Sequence, residues 1–204
     1  MRTLREIHGT AIPYPKSNVD TDEIVPARFL LRDRNEGFAD FLFHDLRFDS
    51  SGGERPDFVL NEAKYRGAKV LIAGANFGCG SSREHAVWAL LDYGIEAVIT
   101  PSFGDIFRNN AIQNGLLLVA LAPSAVEHLL ASKASTPQAT VRVDLASQTV
   151  TSVDGRVFAF DIDPREKERL LSGRSQIDET LALRNKIERF EKTYLAAFPW
   201  AART

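Results

Sequence analysis

Between Lys69 and Leu121 the chain alternates short apolar runs with amphipathic segments, and few folds accommodate that order. "KVLIAG", Lys69 to Gly74, predicts a buried strand. "SREHAVWALLDYG" predicts a helix in which Val87, Leu90, Leu91 and Tyr93 share a face and Gly94 supplies the stop. "IEAVITP" predicts a second strand, ended by Pro101. "SFGDIFRNNAIQNG" predicts a second helix, with Ser102 as its N-cap and Asn114-Gly115 at its end. "LLLVAL" predicts the third strand. Strands separated by helical crossovers pair in parallel, with right-handed connections. The expected class is therefore α/β with a βαβαβ core.

The flanks are less regular. Residues 1–66 carry Pro13, Pro15, Pro26, Pro56 and "SSGGERPD", a surface-loop composition. From Thr140, "TVRVDLASQTVTSVDGRVFAF" alternates, and Asp154-Gly155 between its runs predicts a hairpin. Asp163-Pro164-Arg165-Glu166 reads as an N-cap, a proline in the first turn and an acid behind it, and Gly173 ends that helix. Leu183, Ile187, Phe190 and Tyr194 recur at helical spacing, so the last segment reads as an amphipathic helix. Its apolar face either packs on this chain or meets a partner. The expected organisation is one domain over residues 1–162 and a helical extension over residues 163–204 packed on it.

Composition narrows the functional classes. A chain of 204 residues, 44% hydrophobic and 25% charged, can bury one sizeable core. Its net charge of −2 and lack of a basic run argue against nucleic-acid binding. The longest unbroken apolar run, "LLLVALA", is far short of the roughly 20 residues a membrane span needs. "MRTLREIHGTAIPYP" has no apolar signal segment, and a single cysteine fits a reducing compartment, so the expected location is cytoplasmic.

The chemistry-bearing residues crowd into "ANFGCGSSREH", Ala75 to His85. The Walker pattern fails because Cys79 stands at its second glycine place, and the dinucleotide pattern fails because Arg83 stands at its last. A turn between strand and helix still attracts anions, and a guanidinium grips carboxylates bidentately, so a small carboxylate suits Arg83. Cys79 has no evident activating base, which favours an inert thiol. His8, His44, His85 and His128 are scattered without ligand spacing. In "NVDTDE" Asn18, Asp20 and Asp22 alternate as in a calcium loop, but Glu23 replaces its glycine and Phe29 its bidentate glutamate. Ser81 and Ser82 either cap the helix or act chemically. A helix terminus supplies at most about 2 kcal/mol, about 1.5 pK units. A serine base would therefore need Arg83, backbone amides and an activated substrate as well.

"NFGCGSSREHAVWAL" closely resembles the active-site loop of the small subunits of 3-isopropylmalate dehydratase, in the aconitase superfamily. "NVDTDEIVPARFL", "DFVLN" and "GIEAVITPSFGDIFRNNAIQNGLL" resemble further segments of that family. The likeness runs from about residue 8 to about residue 195. It implies the swivelling-domain fold, a three-layer β/β/α arrangement with C-terminal helices. It also implies a hydro-lyase subunit that binds no cofactor itself and forms a heterodimer with a large subunit carrying a [4Fe-4S] cluster. The pair would interconvert 2- and 3-isopropylmalate through isopropylmaleate, in leucine biosynthesis. By the same resemblance Ser81 matches the catalytic base, Ser82 and Arg83 match carboxylate-binding residues, and Asp22 matches an acid near the site. "FLLRDRNEG", with Arg32 and Arg34, matches the loop that recognises the substrate's variable side chain. Small subunits of homoaconitate, dimethylmalate or citraconate hydratases share the loop, and a non-catalytic anion-binding module remains a different class of reading.

Overall fold

Strand β1 (Glu6–Tyr14) is the hinge of the architecture. In the computed structural model, which describes residues 2–136 and 140–201, it pairs with different partners along its two halves. Ala11 to Tyr14 run parallel to β2 (Val70–Ala73). Glu6 to Thr10 run antiparallel to β5 (Thr140–Asp144). β3 (Ala97–Thr100) and β4 (Leu117–Ala120) extend the parallel side, and β6 (Thr149–Thr151) and β7 (Val157–Ala159) extend the antiparallel side. The seven strands follow the order β4-β3-β2-β1-β5-β6-β7.

Period-two alternation sends neighbouring side chains of β2 to different cores. Val70 and Ile72 join Ala97, Ile99, Leu117 and Val119 on one face. That face is closed by Val141, Val143 and Val150 of the antiparallel strands. Val126 and Leu129 of one helix and Leu170 of another complete it. Leu71 and Ala73 join Val98 on the other face, beneath Ala86, Val87 and Leu90. The antiparallel half thus curls over one face of the parallel half while helices cover the other, giving the β/β/α layering expected. Each fully buried aliphatic side chain contributes roughly 1.5–3 kcal/mol.

The helices are α1 (Thr21–Ile24), α2 (His44–Arg47), α3 (Glu84–Tyr93), α4 (Asp105–Asn114), α5 (Pro123–Ser135), α6 (Pro164–Ser172), α7 (Gln176–Ala182) and α8 (Arg184–Ala197). α3 and α4 are the two predicted crossovers, and each ends on a left-handed glycine, Gly94 and Gly115. α4 begins two residues later than the sequence indicates. Gly104 is its N-cap, and the Ser102 hydroxyl accepts the Asn76 N–H at 2.9 Å instead. The Asp163 carboxylate caps α6 as predicted, and Gly173 closes it.

Three elements escape the sequence reading. β1 is interrupted by Gly9 and Pro13 and looks like loop. Proline is tolerated there because β5 pairs only as far as Thr10, so Pro13 faces a side of β1 with no partner strand. α5 starts at Pro123, a proline at its first turn, and packs Val126 and Leu129 against the sheet. The alternating stretch from Thr140 makes three strands, because the chain also turns at Gln148 with φ of 57°. The turn at Asp154-Gly155 stands between β6 and β7 as predicted.

Beyond α6 the chain is lightly attached. Arg169 pairs with Glu179 at 3.0 Å, linking α6 to α7. No residue of α7 or α8 is buried. Ile187, Phe190 and Tyr194 of α8 are exposed, and the Phe190 and Tyr194 rings stack on each other at 5.6 Å. Among the described residues no helix is long and apolar enough to cross a membrane.

Candidate active site

The glycine-rich turn leaves the end of β2 and enters α3, and three other segments fix its path. The stretch from Lys16 to Thr21 runs beside it. Gly74 N–H donates to the Lys16 carbonyl, Asn18 N–H to Ala75, Gly78 N–H to Val19, and Thr21 N–H to Cys79, all at 2.8–3.0 Å. The Thr21 hydroxyl, buried, donates to the Ser81 carbonyl at 2.9 Å. After β3, the loop from Ser102 to Gly104 brackets Phe77 from the opposite side, with two backbone hydrogen bonds of 2.9–3.0 Å. α4 closes the floor with Phe107.

These contacts account for the glycines differently from the sequence reading, which gave them to anion binding. Gly78 has φ of 72°, and a Cβ there would collide with the Phe107 ring. Gly80 has φ of 93°, and a Cβ there would collide with the Asp20 carboxylate. Both are demanded by left-handed backbone and close approach.

Helix α3 begins at Glu84 with Arg83 as its N-cap, and no side chain caps it. Neither serine is therefore a cap. Ser81 and Ser82 are exposed, and among the described residues neither hydroxyl has a hydrogen-bond partner, although the Ser81 backbone is held by Thr21. The Arg83 side chain is only 12% exposed and lies in an ion pair with Asp22. Its Nη1 makes no directed hydrogen bond, so that contact is ionic. Two motifs 61 positions apart thus meet: the N-terminal acid steadies the guanidinium next to two free hydroxyls and the first amides of α3. This set can bind a carboxylate and present an oxygen base beside it.

The remaining candidates separate. Arg34 directs both guanidinium nitrogens at Asp92 of α3, at 2.6 and 2.8 Å. Arg32 stays on the surface, 3.5 Å from Glu36. Leu31, just before Arg32 in the chain, is 99% exposed. His85 is half-buried among aromatic rings, 4.6 Å from Trp88 and 5.6 Å from Phe38, and burial lowers its pKa. That burial favours the neutral imidazole. Thr21 and Asp92 were invisible to sequence reasoning. No local pattern marks a residue whose partner is 60 positions away.

Cys79 is not activated. Burial raises its thiol pKa, and the Asp20 carboxylate raises it further. A raised pKa means less thiolate at neutral pH, so iodoacetamide should label Cys79 slowly there and faster only as pH exceeds about 9. Rapid labelling at neutral pH would contradict this environment. Among the described residues no three His, Cys, Asp or Glu side chains gather as a metal site.

Over nearly its full length the chain is similar to known proteins. Residues 1–124 match the family described as aconitase C-terminal domain, and residues 127–164 match the one described as LeuD_N. The 3-isopropylmalate dehydratase small subunit of Phenylobacterium zucineum is 49% identical over 200 residues, covering 98% of each chain. That of Rhodospirillum centenum is 48% identical, covering 98% of this chain and 99% of its own. The crystal structure of 3-isopropylmalate dehydratase from Methanocaldococcus jannaschii superposes with a TM-score of 0.63 at 27% identity, covering 91% of this chain and 99% of that one.

Proposed function

Since the chain belongs to the small-subunit family of 3-isopropylmalate dehydratase, a hydro-lyase of leucine biosynthesis, we propose that it supplies the proton-transfer half of a shared active site. The large subunit of a heterodimer supplies the other half. The observation that carries this reading is the pair of unpartnered serine hydroxyls next to Arg83, whose charge is steadied by Asp22.

In this reading Ser81 takes the proton from the substrate carbon during dehydration and returns one during rehydration. Ser82 and Arg83 grip a carboxylate, which fixes the reacting carbon against Ser81. Asp22 holds the guanidinium in place. The exposed tip at Leu31 and Arg32 faces the isopropyl end of the substrate. Family membership implies a [4Fe-4S] cluster, and the donor set of this chain does not fit it: four thiolates are the usual ligands, and Cys79 is the single cysteine. The cluster is assigned to the large subunit, where it would supply Lewis-acid chemistry toward the substrate's hydroxyl. The reading further takes residues 1–162 as the domain that carries the site, residues 163–204 as its extension, and the cytoplasm as the location.

Hydration of isopropylmaleate by purified chains, separate and mixed, tests the reading. Activity is expected only in the mixture. Full activity from the large subunit alone would leave this chain as a regulatory anion-binding module.

A further inference from the structure

Asp92 lies in the last turn of α3, outside the loop motifs, yet three hydrogen bonds converge on it from the segment that follows Leu31. Arg34 donates twice, at 2.6 and 2.8 Å, in the side-by-side geometry of a bidentate pair. The Phe38 backbone N–H donates at 2.8 Å. The Arg34 guanidinium also lies 5.3 Å from the centre of the Trp88 ring, one turn earlier on the same helix. Phe38 is fully buried and meets Trp88 edge-on at 5.5 Å. In the first turn of α3, the His85 ring lies 5.6 Å from the Phe38 ring, so the same segment also packs near the start of the helix.

The segment beyond the tip is therefore tied by hydrogen bonds to the far end of α3 at Asp92, and it packs through Phe38 against His85, two residues from Arg83. The segment also has its own shape. The Asp33 carboxylate accepts the Asn35 N–H at 2.8 Å, and Glu36 reaches back to the Asp33 N–H at 3.2 Å. A helix that carries Arg83 at its start and anchors the segment beyond the tip at Asp92 sets the spacing between them.

We propose that Asp92 and Arg34 are positioning residues for substrate selection. They hold the Leu31–Arg32 tip at a fixed separation from Ser81 and Arg83, so that the length of the substrate's side chain is measured against α3. Arg34 then acts through Asp92 and does not bind substrate. The proposal rests on the reading that the tip meets the substrate's variable side chain.

The experiment uses the reconstituted heterodimer and compares kcat/KM for isopropylmaleate with that for citraconate, whose methyl group is shorter. Asp92→Ala and Arg34→Ala are each expected to lower the isopropylmaleate preference about tenfold. The double variant is expected to lower it no further, since both remove one interaction. Arg34→Lys should restore part of the preference by keeping one charged bond to Asp92. A merely structural role would lower both substrates in parallel and leave the ratio untouched, which would overturn the proposal. Leu31→Ala separates the two levels. If it changes the ratio and the Asp92 and Arg34 variants do not, the clamp is wrong and the tip reading stands. If none of the three changes it, the tip reading itself fails.

Discussion

Replacing Ser81 with alanine is expected to lower isopropylmaleate turnover by about 10²–10⁴-fold, the usual scale for a lost general acid–base group. The loss should fall on kcat, with KM little changed, because carboxylate binding rests on Ser82 and Arg83. The fold gives reason to expect an intact variant. Ser81 is exposed, its hydroxyl makes no hydrogen bond among the described residues, and its backbone is held through its carbonyl by Thr21. Alanine keeps that carbonyl and removes no cap, because Arg83 is the N-cap of α3. Unfolding temperature and affinity for the large subunit should therefore stay near those of the parent chain. Near-normal turnover would show that the base lies elsewhere.

Replacing Arg83 with alanine should be milder and should appear mainly in KM and in kcat/KM. Asp22 is half-exposed, so the loss falls at the lower end of what truncating one member of a charge pair costs, about 2–3 kcal/mol, or about 30-fold to 150-fold in kcat/KM. Two effects combine. The substrate carboxylate loses its guanidinium, and Asp22 loses the cation that neutralises it, so a carboxylate is left facing an anionic ligand. Removing both charges with Arg83→Ala/Asp22→Asn should recover part of the loss. Arg83→Lys should be weaker than the parent as well, because an ammonium cannot offer two parallel N–H groups. An Arg83→Ala protein with unchanged KM would remove the carboxylate from this position.

The core was legible because its signals are local. In Val70–Ala73, Ala97–Thr100 and Leu117–Ala120 the apolar runs are short, and glycines end both crossover helices, so the βαβαβ order follows from neighbouring residues. β1 was not legible, although it joins both halves of the sheet. Pro13 and Gly9 disguise a strand whose tolerance for proline depends on where β5 stops. The site divides in the same way. Ser81, Ser82 and Arg83 stand together in sequence, and Asp22 enters through family resemblance. The reason Asp22 belongs there, its ion pair with Arg83, exists only in the folded chain. The glycines of the turn drew a ligand-binding explanation, and the fold assigns them to Phe107 and Asp20. Arg32 and Arg34 look equivalent in the sequence, and only Arg34 has its fork occupied by Asp92.

The most direct measurement is competition. A heterodimer of the large subunit and the parent chain is titrated with the Ser81→Ala chain while isopropylmaleate hydration is followed. Turnover is predicted to fall in proportion to the share of large subunit held by the variant, because the variant completes the assembly and lacks the base. Turnover that stays constant while the variant co-purifies with the large subunit would contradict a shared site whose proton transfer depends on this chain.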